Sequence, residues 1–556
     1  MPHTPRVLII GLDGATLDLI EPWAQAGHLP GLSALMKAGG YSRLRSIMPV
    51  VSAGAWVTFM TGTNPGKHGV FDFVYREAGT YRLRPVTHPQ TSVPSLWKLL
   101  SDQGKRVGII NVPMTYPPEE VNGFLVSGLG TPNFKEFTYP VELGRRLLQD
   151  GYQVNRKMYY AGDREDAFLA ETYEIIQGIS RAALTLMEES EWDLFTVVFR
   201  DTDDIAHAFW RYMDPTHPKF EPGSRFAEAI LGLYRRLDSC VGELVEASGP
   251  QTTVFIVSDH GFGPLYKDVY LNEWLRQAGY LTARRPASQR HVLSRLGITR
   301  ERSSRIMRKL GLGRLERRIK DRIGDRIELL PRDTWPDFSE GIDWPSTRAY
   351  SYGYQGQIYV NLAGREPQGT VQPGEEYAAL REEICQALAR LVDPADGKPV
   401  VDSLYRREEL YNGPAINVAP DIVVSMRGLA YITRLGYELS NQPGEIFSDS
   451  RVRETGGHRL EGTLIGAGPT INPDIADLPP AWLGDIAPTV LHVLGCPVPE
   501  WMDGKVLSSW LVPEFASRPV TPLRAPSPGT IPGQSVLTTE EEQEIMERLK
   551  DLGYLG

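Results

Sequence analysis

Four unbroken apolar runs, each too short to be a helix, constrain this chain more than any other feature. They are 6–12 (RVLIIGL), 106–112 (RVGIINV), 194–199 (LFTVVF) and 253–257 (TVFIV). A strand with one face in water alternates apolar and polar residues, so an unbroken run predicts a strand covered on both faces. Helical patterns fall between the runs, at 32–38, 94–103, 165–188 and 225–247. Strands alternating with helices in this way predict an α/β fold: a doubly wound, mostly parallel sheet. Downstream, 349–362 predicts a strand pair, 375–391 a helix, 421–426 and 462–467 strands, and 484–494 a closing helix.

In an open parallel sheet, ligands collect where the strands end at their carboxyl side. Asp13 follows the first run directly, in GLDG. Asp203 and His207 follow the third, in RDTDDIAH, and Asp259 and His260 follow the fourth, in SDHG. His458, in TGGHR, stands just before the run 462–467. One Asp after a strand reads as a turn residue or a helix cap. Three carboxylates and three imidazoles on one edge read as a metal site, with the mixed oxygen and nitrogen donors that suit zinc or another first-row ion such as Mn. Six ligands exceed what one tetrahedral ion with an open position takes. Two divalent ions fit better, and such a pair is a known clamp for phosphoryl displacement.

A hydroxyl nucleophile is found in PVVSAGAWVTFMTG, 49–62. The stretch 53–60 predicts a helix with Ser52 as its N-cap, where free N–H groups and the positive helix end favour an anion. Ser46, Thr58 and Thr61 are rival hydroxyls, but the two threonines fall inside or at the end of that helix. The phosphoryl oxygens also need donors. The backbone N–H of Ala53 and the side chains of Lys67 and Arg200 are the candidates.

Charge is unevenly spread. The net charge is −10, yet 281–327 holds fifteen Arg or Lys against four Asp or Glu. Apolar residues recur there near helical spacing, which predicts a basic helical insertion over 281–344, placed as a cap on a catalytic core of 1–280 and 345–512. As an anion-attracting lid it would favour a small phosphorylated substrate. It contains no Trp, Tyr or Phe over 283–330, which argues against a nucleic-acid platform, since those use aromatic stacking. The tail 513–556 reads as a Pro-rich linker followed by a helix at 538–552 that docks on its own core or on a second copy in a homo-oligomer. The three cysteines, Cys240, Cys385 and Cys496, show no metal or disulfide spacing. With no leader pattern and no apolar run of membrane length, they predict a reducing, cytoplasmic location.

In chain order, GLDG, P-x-x-S-x-x-x-W-x-T-x-x-TG-x-x-P-x-x-HG, D-x-x-x-H, SDHG and GGH resemble the type I phosphodiesterase/nucleotide pyrophosphatase family of the alkaline phosphatase superfamily. The resemblance implies an alkaline-phosphatase-like fold. It implies that Asp13, Asp259 and His260 hold one zinc with Ser52 beside it, and that Asp203, His207 and His458 hold the other. His68 takes a structural role. It further implies a phosphodiesterase working through a phosphoseryl intermediate on Ser52. A phosphomonoesterase or phosphomutase of the same superfamily, or a metal-binding scaffold without catalysis, are the alternatives. The segment SAGAW at 52–56 lacks the Pro and Arg of a sulfatase motif.

Overall fold

The first apolar run forms the strand Arg6–Leu12, and its side chains divide between two cores. Val7 and Ile9 pack on one face of the sheet, Leu8, Ile10 and Leu12 on the other. That division is why the run is apolar from Val7 to Leu12. Each such side chain, fully buried, contributes about 1.5–3 kcal/mol. The computed structural model describes residues 5–87, 93–132, 136–157, 160, 164–284, 341–434, 444–450, 454–473, 480–524 and 537–551.

Nine strands make the main sheet. In spatial order they are Ala481–Trp482, Gly40–Arg45, Glu461–Ala467, Thr252–Val257, Arg6–Leu12, Leu194–Phe199, Val107–Val112, Gly123–Ser127 and Thr138–Tyr139. The five from Thr252–Val257 to Gly123–Ser127 run parallel, with Ile9 level with Thr196 on one side and Phe255 on the other. Glu461–Ala467 is antiparallel to both its neighbours, and Thr138–Tyr139 to its one. The helices Ser52–Thr61, Leu96–Asp102 and Ile486–Val493 cover one face. The opposite face carries Leu17–Gln25, Pro30–Ala38, Glu165–Glu189, Asp201–Met213 and Ala229–Ser248. This is the doubly wound, mostly parallel α/β sheet expected.

The expected strand pair over 349–362 is present as Ala349–Ser351 and Gln357–Val360. With Ile422–Met426 and Val401–Arg406 it builds a separate antiparallel sheet, not an extension of the large one. The helix Glu375–Leu388 packs into the core of this second sheet. Residues 285–340, most of the expected basic cap, lie outside the described residues, as does 525–536 of the linker. The tail helix Thr539–Asp551 docks on its own chain: Ile545 and Leu549 are buried in the core on this face of the sheet, near Phe73, Val86 and Met114, and Arg548 donates to the Thr131 carbonyl (2.5 Å). Among the described residues, no helix is long and apolar enough to cross a membrane. Cys240 and Cys496 are buried, Cys385 is half-buried, and none is bridged.

Candidate metal centre

Each acidic motif sits where its strand delivers it. Asp13 leaves the end of Arg6–Leu12, its N–H bonded to the Phe199 carbonyl of the neighbouring strand (3.0 Å). Gly11 and Gly14 of this motif are required. A Cβ on Gly11 would come within 2.8 Å of Trp56 and 2.7 Å of Val198, and Gly14 has φ +66°. Asp203 and His207 share one side of the helix Asp201–Met213, four residues apart. Asp259 and His260 follow Thr252–Val257. His458 lies within the strand Gly456–Arg459, which pairs antiparallel with Gly261–Pro264 and sets Phe262 opposite His458.

The three imidazoles are held alike. Nδ1 of His207 donates to the Gly456 carbonyl (2.8 Å), Nδ1 of His260 to the Gly261 carbonyl (3.0 Å), and Nδ1 of His458 to the Val50 carbonyl (2.8 Å). A carbonyl only accepts, so Nδ1 of each ring carries a proton and each Nε2 is turned inward to the cluster. The Nε2 atoms of His207 and His458 stand 3.0 Å apart, and the rings of His260 and His458 stack at 3.7 Å. Two ring nitrogens facing each other at that distance either share a proton or flank a cation.

The carboxylates make the same demand. Trp56 Nε1 donates to Asp13 Oδ2 (3.0 Å) and the Gly14 N–H to Asp259 Oδ1 (3.2 Å). The remaining oxygens, Asp13 Oδ1 and Asp259 Oδ2, and Asp203 Oδ1 are buried with no hydrogen-bond donor. These orphans face the imidazoles: Asp13 Oδ1 lies 3.7 Å from His260 Nε2, Asp259 Oδ2 3.4 Å from it, and Asp203 Oδ1 3.3 Å from His458 Nε2. Buried acceptors without donors are rare in native proteins and call for an explanation. Three of them beside three inward Nε2 atoms fit divalent cations.

Two donor groups result, Asp13–Asp259–His260 and Asp203–His260–His458, with His260 common to both. His207 adjoins the second, its Nε2 3.4 Å from Asp203 Oδ1. Burial, then the neighbouring charges of Asp259 and Asp203, holds the Asp13 carboxyl well above its usual range. Burial, then Asp203, also raises Asp259. Burial, then His458, keeps His260 neutral well below its ordinary value. Burial opposes charge on His207, yet Asp203 outweighs it and lifts His207 to about 9. Without a cation, a proton takes up part of the negative charge.

Ser52 is the first residue of the helix Ser52–Thr61, with Val51 as its N-cap, so the N-cap assignment moves by one residue. Ser52 Oγ is therefore released from capping and stands 3.0 Å from His260 Nε2. The whole helix is buried, and its first-turn N–H groups, that of Ala53 among them, have no acceptor within the helix. The rival threonines are committed elsewhere: Thr58 Oγ1 meets His68 Nε2 (2.9 Å) and Thr61 Oγ1 donates to the Val57 carbonyl (2.6 Å). Ser46 is buried, and its Oγ makes no hydrogen bond to the cluster. His68 also accepts from the Val70 N–H (3.1 Å), and burial holds it at about 3, a structural imidazole.

The two cationic candidates already have carboxylate partners. Lys67 pairs with Asp503 (2.6 Å) and bonds the Trp501 carbonyl, while Arg200 donates to Asp204 (3.1 Å). Sequence reasoning missed Trp56 as the anchor of Asp13. It also missed Glu454, whose carboxylate lies 3.6 Å from His207 Nδ1 and is gripped by the fully buried Arg434. Nothing local to either residue announces these contacts.

A family model described as Type I phosphodiesterase / nucleotide pyrophosphatase matches residues 7–438. The match ends before His458, which the fold nevertheless brings to the other five. No curated protein matches the chain. Two structures of phosphonoacetate hydrolase from Sinorhizobium meliloti 1021 are similar to it. One, in complex with phosphonoformate, has a TM-score of 0.52, and one, in complex with phosphonoacetate, has 0.53. Each is 14% identical over 89% of this chain and 96% of that one, a likeness of fold.

Proposed function

Because the chain belongs to the type I phosphodiesterase/nucleotide pyrophosphatase family, a family of phosphoric ester hydrolases, we propose that it hydrolyses a phosphodiester with Ser52 as nucleophile. Asp13, Asp259 and His260 would hold one divalent cation next to Ser52, and Asp203, His207 and His458 the other. The mixed nitrogen and oxygen donors favour zinc. The cations, once bound, would acidify the Ser52 hydroxyl and draw negative charge from the phosphoryl oxygens. The observation that carries this reading is the meeting of three donorless carboxylate oxygens, three inward imidazole Nε2 atoms and one hydroxyl.

Ser52 Oγ attacks phosphorus in line, and the leaving alcohol departs on the opposite side. The phosphorylated serine is then hydrolysed by water in a second displacement, which regenerates the hydroxyl. The Ala53 N–H, at the positive end of a buried helix, supports one phosphoryl oxygen. A monoester carries a second negative charge and needs a free cationic side chain. Both candidates, Lys67 and Arg200, are bound to carboxylates, which favours the diester. Three unbridged cysteines support a reducing compartment such as the cytoplasm.

The test is the rate on bis-p-nitrophenyl phosphate beside p-nitrophenyl phosphate, for wild type and Ser52→Ala. The diester is expected to be the better substrate, and Ser52→Ala to lose turnover while keeping about two cations per chain. Full turnover by Ser52→Ala would remove the nucleophile.

A further inference from the structure

Gln355 lies in the turn between the strands Ala349–Ser351 and Gln357–Val360, in the left-handed region at φ 65°. Side chains with a Cβ seldom adopt that conformation, and such strain gathers at functional sites. The turn is clamped from both sides. Asp72 accepts from the Tyr354 N–H (2.7 Å). Thr433 Oγ1 accepts from the Gly356 N–H (2.7 Å) and donates to the Gly353 carbonyl (2.9 Å).

The Gln355 side chain is almost completely buried, at 1% exposure. Its Oε1 accepts from the Val50 N–H (2.8 Å). Because that partner is a donor, the amide orientation is fixed and cannot be reversed. Nε2 then carries two N–H groups, and it is buried with no hydrogen-bond partner. A clamped turn thus holds a strained residue whose amide has its acceptor satisfied and its donors idle.

The position says what the donors are for. Val50 is held through its N–H by Gln355 and through its carbonyl by His458 Nδ1 (2.8 Å), and the same backbone leads into Ser52 two residues later. Tyr354, next to Gln355, has its ring 5.5 Å from that of His458. The idle amide thus lies one hydrogen bond from the segment that carries Ser52 and next in sequence to a residue beside His458. We propose that the Gln355 carboxamide is a substrate-binding group of the Ser52 site, its Nε2 donating to a non-bridging oxygen of the phosphoryl group. The inference rests on the phosphodiesterase reading and extends it. A neutral double donor suits the single delocalised charge of a diester, and its grip tightens as charge gathers on that oxygen during attack.

Gln355→Glu tests this directly, since it keeps the acceptor for Val50 and removes the donors. Gln355→Met removes both. We expect each to lower kcat/KM for bis-p-nitrophenyl phosphate by about 100-fold, the loss typical of one oxyanion donor, with zinc content unchanged. Sulfur accepts hydrogen bonds poorly, so wild type should distinguish the two enantiomers of methyl p-nitrophenyl phosphorothioate, and Gln355→Glu should change that ratio by about tenfold. Unchanged kcat/KM in Gln355→Glu, or a loss that leaves the enantiomer ratio unaltered whatever the zinc content, would overturn the proposal and leave Gln355 as a support for Val50. A zinc-loaded wild type without diesterase activity, or a fully active Ser52→Ala, would instead overturn the parent reading.

Discussion

Trp56→Phe isolates one hydrogen bond at the proposed cation site. The indole N–H donates to Asp13 Oδ2 at 3.0 Å, and both side chains are buried to 1% exposure or less. Phenylalanine keeps an aromatic ring against Phe59, whose ring now meets that of Trp56 edge-on at 5.3 Å, but offers Asp13 no donor. A hydrogen bond to a charged group contributes about 1.5–3 kcal/mol. Losing it lets the carboxylate turn away from the direction in which Oδ1 faces His260. The expected cost is a roughly 10- to 100-fold weaker hold on the cation, the usual effect of removing a group that orients a ligand. The smaller ring also leaves a void, which takes roughly 1–3 kcal/mol from folding and is read separately by denaturant titration of zinc-free protein. The assay is diesterase activity against free zinc, buffered by a chelator of known affinity. The midpoint should move to higher zinc, with kcat at saturation within a few-fold of wild type. An unmoved midpoint would refute the reasoning, because Asp13 would then hold no ion or need no anchor.

Chelation should abolish activity, and zinc or manganese should restore it. The stripped protein should melt at lower temperature, since Asp13, Asp203 and Asp259 then face one another without a cation; calorimetry reads this. Burial pushes the Asp72 carboxyl up to about 7 against the donors from Phe73, Tyr354 and Gln357. Its folded value thus lies above its unfolded value of about 3.9, so the native state holds the proton more tightly. Its contribution is fully present below about pH 4 and is lost as pH rises through about 7, a change on the order of 4 kcal/mol. Asp72→Asn should flatten that part of the urea-midpoint profile between pH 5 and 8. Ile545→Ala should weaken the docking of the tail helix by about 2–5 kcal/mol, seen as faster amide exchange in Thr539–Asp551 with the strand Arg6–Leu12 unchanged.

The parts of the fold legible in the sequence were those whose environment is uniform along the chain. Arg6–Leu12, Leu194–Phe199 and Thr252–Val257 are covered on both faces, so their apolar runs identify them, and the acids behind them mark the sheet edge. Gly40–Arg45 escaped because its pattern alternates buried and exposed and carries two arginines in six residues. The Ser52 helix starts one residue earlier than expected, since a Ser before an apolar helix looks like a cap whether or not it caps. Gln355, Trp56 and Glu454 act through partners 305, 43 and 247 positions away, and no local pattern encodes such pairings. The Gly on either side of the Tyr354–Gln355 pair is the one local sign that the turn there is unusual.

The antiparallel strand Glu461–Ala467 lies between Thr252–Val257 and Gly40–Arg45, so a late segment closes a gap between two early ones. The short strand just before it, Gly456–Arg459, brings His458. During synthesis, the first half of the chain therefore emerges with its sheet split and the proposed cation cluster one imidazole short. Contacts across such sequence separations form slowly, and unpaired strand edges invite aggregation meanwhile. A chain that stops before residue 458 lacks one of the six proposed ligands, so hydrolytic power is expected only once the last third of the polypeptide is in place.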